Sequence, residues 1–281
     1  ANDRRMLLVL QEASAWTSGL LQAAKTVAGR IELNSLHADH FAAVVGSTQP
    51  ELAIELLGIF LDSELRRRIV EAERLKDVAS RQRPASDDEA TQIAWHMRHS
   101  PRRPIDSLMD DRQGWGTAVE LAAVSPGYFI SSLWPWYLRA FSALLEFSEL
   151  APPYFGYPLP YVADFRFDGE NRNKLLPSSL LEAIVLATEM LAESSPEELV
   201  RWVDENASVE LAPVQRLIAH ALAKNPKETA SHAFRFLLAD ERRYHLGNVT
   251  SSSSTSLSLV AACAPHWGSA EVAKFSEKVR K

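Results

Sequence analysis

Hydrophobic residues recur along the second half of the chain with the 3.6-residue period of an α-helix. Two sets of five follow the spacing i, i+3, i+4, i+7 and i+8: Val214, Leu217, Ile218, Ala221 and Leu222, and then Ala230, Ala233, Phe234, Leu237 and Leu238. Each set forms one apolar stripe on a helix. Ser179–Glu193 is apolar nearly all round, which predicts a helix packed between neighbours. The stripes and start signals together predict an all-α protein of about twelve to fourteen helices.

The starts of the predicted helices share one local pattern, in which a cap residue precedes a proline. Ser195-Pro196-Glu197-Glu198 and Asn225-Pro226-Lys227-Glu228 each combine a capping side chain, a proline at the first helical position and a glutamate at the third. Ser125-Pro126 is a looser version of the same pattern. Many of the 15 prolines therefore start helices rather than break them.

The predicted helices of the second half form pairs that are joined by tight turns. The pairs are 179–193 with 197–206, 213–224 with 227–240, and 254–264 with 270–281. Their turns lie near 196, 226 and 269. The spacings between these turns are irregular but are close to the ~34–47-residue length of tetratricopeptide and HEAT-type repeats. We therefore predict an irregular α-solenoid of stacked antiparallel helix pairs, each packed on the next.

Proline content also divides the chain. The segment 151–160 holds four prolines, which exclude a continuous helix there. We predict an N-terminal helical array over 1–150, a proline-rich connecting segment over 151–177 and a C-terminal helical-repeat region over 178–281. The chain begins with Ala1, and 271–281 resembles an unfinished helix, so we expect a part of a longer protein.

Composition narrows the classes of function. With 46% hydrophobic and 23% charged residues, the chain has a globular composition. A net charge of −6 argues against a nucleic-acid-binding surface, which needs clustered lysine and arginine. No apolar run approaches the ~20 residues of a membrane span, so we expect no membrane association. The single cysteine, Cys263, fits a reducing compartment and predicts a cytoplasmic protein.

The common catalytic and cofactor-binding motifs are missing from the sequence. There is no phosphate-binding loop, no glycine-rich dinucleotide fingerprint, no zinc-protease helix and no nucleophile elbow. His37-Ala38-Asp39-His40 and the pair His96 and His99 offer too few convergent ligands for a metal site, and polar or capping roles are expected for them. We predict no cofactor, no metal and no catalysis by this chain alone.

Two further clusters have a structural interpretation and a functional one. The basic run Glu64–Arg68 predicts a solvated helix face with an i, i+4 ion pair from Glu64 to Arg68, and an anion contact is the alternative. The aromatic residues around Trp134-Pro135-Trp136-Tyr137 lie at helical spacing, which favours a core over a binding hot spot.

Residues 240–248 are the most unusual segment, because acid, base, aromatic and imidazole groups crowd the end of a predicted helix. Gly247-Asn248 predicts that this helix stops there. The candidates for partner binding are Asp240, Glu241, Arg242, Arg243, Tyr244, His245 and the later His266. One alternative is an ion-pair network that ties the helix end to the next repeat. Another is an acid–base cluster, together with His220 or His232.

The run Leu237–Asn248 and the later Ala264-Pro265-His266-Trp267 resemble the C-terminal helical-repeat region of bacterial STAND-type NTPases, including the antiviral AVAST group. The resemblance covers about the last third of the chain. It implies that the repeats sense a protein ligand while the nucleotide site and the effector lie in other domains. We therefore predict a non-catalytic, protein-binding sensor or scaffold segment of a larger signalling or defence protein. An all-α enzyme and a nucleic-acid-binding array are the alternatives.

Overall fold

The computed structural model of the chain describes residues 10, 17–30, 35–81, 99–109, 115–148, 179–248 and 251–280, together with 88, 91, 95, 159, 160, 162, 163, 165 and 167. Within these residues the secondary structure is helical, and the only β pairing is an isolated bridge between Asn248 and Ser251. The prediction of an all-α protein built from packed helix pairs is confirmed. The predicted short helix over 87–98 and most of the segment 151–177 lie outside the described residues.

The described part contains twelve α-helices and two short 3-10 helices. The α-helices are α1 Ser18–Ala28, α2 Ser35–Gly46, α3 Pro50–Arg81, α4 Arg103–Met109, α5 Gly116–Val124, α6 Pro126–Glu146, α7 Leu180–Ser194, α8 Pro196–Asn206, α9 Ala212–Lys224, α10 Pro226–Ala239, α11 Ser254–Cys263 and α12 Ser269–Val279. The 3-10 helices are Glu241–His245 and Ala264–His266. The predicted boundaries from 179 onward differ from these by one or two residues.

The chain divides into two compact units, the first formed by 1–148 with 173–184 and the second by 149–172 with 185–281. The predicted connecting segment thus contributes to both units. Described residues of this segment pack inside unit 2, where the Pro160 carbonyl accepts a hydrogen bond from the Ala212 N–H at 2.9 Å. The buried rings of Phe165 and Phe167 explain this packing, because a free linker would expose them to water.

Unit 1 is organised around α3, a helix of 32 residues. Helices α1, α2, α4, α5 and α6 all pack against it. The first half of α3 supplies the core through a broad apolar face, and its buried residues include Ala53, Leu56, Leu57, Phe60 and Leu61. Helix α6 buries Trp134, Trp136 and Tyr137, so the predicted aromatic core is confirmed.

Unit 2 is organised around α9, which packs against α8, α10 and α11. Its predicted apolar stripe is fully buried, and so are two polar residues beside it, Gln215 and Arg216. A helix that is buried on all sides needs partners for such groups, because an unsatisfied buried polar group costs free energy. The Gln215 amide group donates to the Ala207 and Val209 carbonyls, and Arg216 donates to the Phe165 carbonyl and the Thr255 hydroxyl.

Three helix connections consist of one residue each and have almost the same backbone conformation. Ser125, Ser195 and Asn225 have φ of −135°, −148° and −129° and ψ of 64°, 69° and 68°. Each precedes a proline, which disfavours the α conformation in the residue before it. The predicted helix starts are confirmed, but none of the three side chains makes a capping hydrogen bond. Asn225 instead donates to the Ala192 carbonyl at 3.0 Å.

The buried hydroxyl of Tyr137 is expected to stabilise unit 1, and a single substitution tests this. This residue is fully buried, and its hydroxyl donates to the Leu180 carbonyl at 2.6 Å. Tyr137→Phe should lower the free energy of unfolding by about 1–3 kcal/mol, because it leaves a buried carbonyl without its donor. Tyr128→Phe is the control, since the Tyr128 hydroxyl donates to Glu55 in a part-buried setting and should cost less. Urea titrations followed by circular dichroism measure both, and equal losses would contradict the expectation.

Candidate functional site

The predicted partner-binding segment forms a 3-10 helix, Glu241–His245, immediately after α10. Asp240 caps it, because its carboxylate accepts the Arg242 backbone N–H at 2.9 Å. The far end is tied to α11 by Ser256, whose hydroxyl accepts the Leu246 N–H at 2.9 Å and donates to the Arg243 carbonyl at 2.7 Å. The backbone of the segment is therefore fixed at both ends.

Gly247 directly follows the C-cap of the 3-10 helix, so the helical segment ends immediately before it, where the sequence predicted the stop. The 3-10 helix ends at His245 with Leu246 as its C-cap. A Cβ atom on Gly247 would lie 1.9 Å from the Ser251 carbonyl oxygen, so the glycine is required by a close approach of two backbone segments. This turn carries the bridge between Asn248 and Ser251.

Arg243 lies beneath this segment and is only 7% exposed. Its guanidinium donates to the Phe236 carbonyl at 2.6 Å and to the Ala207 carbonyl at 2.5 Å, and it lies over the Phe236 ring at 4.2 Å. Phe236 is in the last turn of α10, and Ala207 is the C-cap of α8. The carbonyls at helix C-termini lack intrahelical partners and carry partial negative charge. One buried cation therefore caps two helices at once, through carbonyl groups rather than through the ion pairs that the structural alternative predicted.

Arg242, in contrast, faces solvent. Its guanidinium bonds the Asp240 carboxylate at 2.8 Å and the Glu210 carboxylate at 2.6 Å. The hydrogen bonds from Arg242 lower the pKa of Asp240 below its usual value. Glu241 is also exposed, and it pairs with Lys278 of α12 at 2.6 Å.

Two imidazoles complete the exposed groups of the predicted site. His245 and His266 are both exposed, and neither makes a hydrogen bond or an ion pair with the part of the chain that the structure describes. His266 ends the second 3-10 helix and immediately precedes Trp267. The predicted site residues thus separate into two groups. Asp240, Arg243 and Tyr244 support the segment, and the more exposed side chains are those of Glu241, Arg242, His245 and His266.

An aromatic chain connects the two 3-10 helices. The Phe275 ring of α12 contacts Tyr244 at a centroid distance of 5.9 Å and Trp267 at 5.2 Å. Trp267 is anchored further, because its indole N–H donates to the Ala230 carbonyl at 2.9 Å. Burial raises the pKa of Tyr244. The structure therefore brings the region of 240–245 and the region of His266 together through one ring on α12.

A second polar cluster in unit 2 combines residues that are far apart in the sequence. The Glu189 carboxylate of α7 contacts His220 Nε2 at 2.6 Å and Lys224 Nζ at 3.0 Å, both on α9. The His220 ring stacks on Phe167 at a centroid distance of 4.0 Å. Burial alone would raise the pKa of Glu189, but the hydrogen bonds and charges of His220 and Lys224 outweigh it, so the pKa is lowered.

Phe167 also contacts the other charged residue of α9. Arg216, which is completely buried, lies over the Phe167 ring at 5.0 Å and donates to the Phe165 carbonyl and the Thr255 hydroxyl, each at 3.3 Å. Sequence reasoning named His220 only as an accessory acid or base and missed Glu189 and Arg216. Their signal was the presence of polar residues on helices that are otherwise apolar all round.

The acid–base alternative gains no support from these geometries. A general acid or base works best with a pKa near neutrality, and the pKa of Asp240 moves in the opposite direction. His232 is half-buried, and burial lowers its pKa. His220 pairs with Glu189 instead of with a residue of the 240–245 segment.

The other predicted clusters are explained by their neighbours. The Asp39 carboxylate accepts the Thr117 N–H at 2.9 Å, and a His99 ring nitrogen lies 3.0 Å from the Trp95 carbonyl. No group of three metal-ligating side chains occurs among the described residues. Glu64 accepts hydrogen bonds from Arg67 at 2.9 Å and Arg68 at 2.7 Å, which confirms the predicted ion pair. None of the helices that the structure describes is long and apolar enough to span a membrane.

Arg243 and Arg242 are neighbours with opposite environments, which makes them a matched pair for mutagenesis. Arg243→Ala should lower the free energy of unfolding by about 2–4 kcal/mol, because it uncaps buried helix-end carbonyls. Arg242→Ala should leave stability near that of the unmodified chain, since exposed ion pairs contribute little. Thermal melts of the two variants measure this difference. A stable Arg243→Ala protein would show that the buried guanidinium is not needed for the fold.

The Glu189 cluster gives a dependence on pH. Because the folded-state pKa of Glu189 lies below its usual value of 4.5, the ionised carboxylate stabilises the fold above that pH, and the stabilisation is lost as the pH falls through the folded-state pKa. Glu189→Gln should therefore destabilise the protein at neutral pH, and the difference from the unmodified chain should shrink in acid. Urea titrations at several pH values measure it, with Glu193→Gln, an exposed change on the same helix, as the control. A difference that is constant with pH would contradict the prediction.

No family model, no curated protein and no solved structure matches the chain. The resemblance of 237–248 and 264–267 to the sensor repeats of STAND-type NTPases therefore stays a prediction. The proposed function therefore rests on the fixed 3-10 helix and on the exposed side chains that it carries.

Proposed function

We propose that unit 2 binds a protein partner through the exposed side chains of its two 3-10 helices. The binding residues would be Glu241, Arg242, His245 and His266, with Asp240, Arg243 and Tyr244 holding them in place. The observation that carries the proposal is the fixed backbone of Glu241–His245. Hydrogen bonds of the Arg243 guanidinium and the Ser256 hydroxyl fix this backbone to the neighbouring helices. A recognition segment that is already ordered loses less conformational freedom on binding.

The charge pattern of this surface favours a protein over a nucleic acid. Arg242 is neutralised by Asp240 and Glu210, and Lys278 is neutralised by Glu241. A phosphate backbone attracts clustered cations that acidic neighbours do not already neutralise. Protein interfaces, in contrast, commonly place aromatic anchors within a rim of mixed polar groups. Tyr244, Phe275 and Trp267 supply such an aromatic support here.

We further propose that the chain is a non-catalytic sensor or scaffold segment of a larger bacterial signalling or antiviral-defence protein. Two features support this role. The residues that resemble the sensor repeats of STAND-type NTPases are the ones that form the two 3-10 helices and their flanks. Stacked helix pairs also offer extended surfaces for recognition, because each pair contacts only its neighbours. In this arrangement, nucleotide hydrolysis and effector activity belong to other domains.

Site-specific photo-crosslinking in cells that express the chain tests the binding surface. A photoreactive amino acid placed at Glu241, His245 or His266 should capture the same protein from all three positions. The exposed residue Arg201 of α8 is the control position and should not capture that protein. If the three test positions capture different proteins, or none, the surface does not bind one partner.

Alanine substitutions then separate recognition from folding. Glu241→Ala combined with His245→Ala should reduce capture from position 266 by about tenfold, as expected when anchors of an interface are lost. The melting temperature should stay unchanged, because both side chains are exposed. A large fall in melting temperature, with capture reduced in proportion, would assign these residues to the fold instead.

A further inference from the structure

Helix α12 differs from the neighbouring helices of unit 2, because none of its residues is buried. Helices α8 to α11 each bury at least four residues. Trp267, just before α12, is still buried and donates its indole N–H to the Ala230 carbonyl. In α12 itself, Val272 and Val279 are 43% and 53% exposed. A helix with so little buried surface can open while the rest of the fold stays intact.

The side-chain contacts that hold α12 combine an aromatic ring with a charge. The Phe275 ring contacts the rings of Tyr244 and Trp267. One turn further along α12, Lys278 Nζ lies 2.6 Å from the Glu241 carboxylate. Residues at this spacing share one face of a helix, which is the face that α12 turns toward unit 2. The ion pair joins exposed side chains and contributes little, so the docking of α12 depends mainly on one ring.

The docked helix leaves a buried polar group without a partner. The Tyr244 hydroxyl is buried and makes no hydrogen bond with the described part of the chain. Burial raises the pKa of this hydroxyl, and the charges of Lys278 and Glu241 also act on it, so it lies beside the contact with α12. A buried hydroxyl without a partner costs free energy, which hydration would recover. This cost opposes the docking of α12.

We propose that α12 is a displaceable cover and that the protein partner of unit 2 docks an amphipathic helix of its own in its place. The docking surface consists of Glu241, Tyr244 and Trp267. The partner helix presents an aromatic ring and, three residues later, a lysine, where α12 presents Phe275 and Lys278. Amphipathic helices that bind to such surfaces are recognised through anchors at this spacing. This docking mode rests on the proposed function, because Glu241 and Tyr244 belong to the binding surface proposed there.

A partner helix can replace α12 because it can satisfy groups that α12 leaves without a partner. An acceptor on the partner helix can bond the Tyr244 hydroxyl, and a helix longer than α12 can reach the exposed His245 or His266. Displacement also frees Glu241 for the lysine of the partner. Because α12 is tethered to the surface, it competes at an effective concentration on the order of millimolar. The cover thereby sets a threshold that a weak ligand does not pass.

A peptide with the sequence of residues 269–281 tests the docking surface, with the full chain as the receptor. Lys274→Pro should break α12, because proline clashes within a helix, and Lys274→Ala is the control that keeps the helix. The indole N–H signal of Trp267, identified by Trp267→Phe, reports binding in a nitrogen–proton NMR spectrum. The peptide should bind the Lys274→Pro chain at about 1 mM or tighter, and the Lys274→Ala chain at least about tenfold more weakly. Phe275→Ala in the receptor releases α12 without breaking it and should also admit the peptide, which provides a second receptor if Lys274→Pro does not fold.

Substitutions within the peptide identify its anchors. Phe275→Ala in the peptide should abolish binding. Lys278→Glu should weaken binding by about threefold or more, and Glu241→Lys in the receptor should restore it. Arg280→Glu is the matched control, since Arg280 carries the same charge but forms no ion pair with the described residues. Equal losses from Lys278→Glu and Arg280→Glu, or no binding of the unmodified peptide at about 1 mM, would overturn the proposal.

Hydrogen exchange tests whether α12 opens in the unmodified chain. After correction for intrinsic rates, the amides of 273–279 should exchange at least about tenfold faster than those within α10. Tyr244→Phe should slow this exchange about fivefold or more, because the docked helix then leaves no hydroxyl unpaired. Tyr128→Phe, in unit 1, is the control and should leave the exchange of α12 unchanged. Exchange of α12 at the rate of α10, or no slowing in Tyr244→Phe, would show that α12 is not a displaceable cover.

Photo-crosslinking from position 266 separates this docking mode from the proposed function. Lys274→Pro should raise the capture of the partner about tenfold over Lys274→Ala, because α12 no longer competes. Unchanged capture would keep the proposed function and overturn the displacement of α12. Reduced capture would make α12 a part of the binding surface instead. A dimer of the unmodified chain that Phe275→Ala abolishes would show that the α12 of a second copy, rather than a partner helix, docks here.

Discussion

Four helices of unit 2, α7 to α10, end against neighbouring segments, so their last carbonyl groups need hydrogen-bond donors from elsewhere in the chain. Side chains of other segments supply them. Arg243 serves the ends of α8 and α10, Asn225 serves α7 through the Ala192 carbonyl, and Thr229 serves α9 through the Leu222 carbonyl at 2.6 Å. Gln215 adds a second donor to the Ala207 carbonyl at 3.0 Å. Each helix end is thereby fixed to a neighbour, and the 3-10 helix Glu241–His245 takes its position from this set of bonds.

The 3.6-residue period of the hydrophobic positions predicted the helices because it depends on a local property, namely which face of each helix is apolar. The X-Pro connections were found for the same reason, since one residue and its proline determine the backbone there. Capping hydrogen bonds at Ser125, Ser195 and Asn225 were expected and are not formed, because with ψ close to 65° these residues join two helices directly.

The buried charges could not be predicted in this way, since their partners come from distant parts of the sequence. Arg243 reaches a carbonyl 36 residues away, and Glu189 meets a histidine 31 residues away. In the sequence, Arg243 and Arg242 were equal candidates for partner binding. Only the packing of α8 against α10 shows that Arg243 is buried whereas Arg242 faces solvent. The sequence thus located the unusual segment, but it did not show which of its residues support the fold and which are exposed.

The one-residue connections restrict how the chain can change in length. A helix turns by about 100° for each residue, so one residue inserted at Ser125, Ser195 or Asn225 would rotate the apolar stripe of the following helix away from its neighbours. Insertions at these three points should be eliminated during evolution. The longer turn between α8 and α9, over 207–211, has room to absorb an added residue at its exposed positions, although its Ala207 carbonyl is committed to Arg243. In related sequences, insertions and deletions should therefore occur in the longer turns and not at the X-Pro connections. The X-Pro connections would then be the positions at which the length of the chain is fixed.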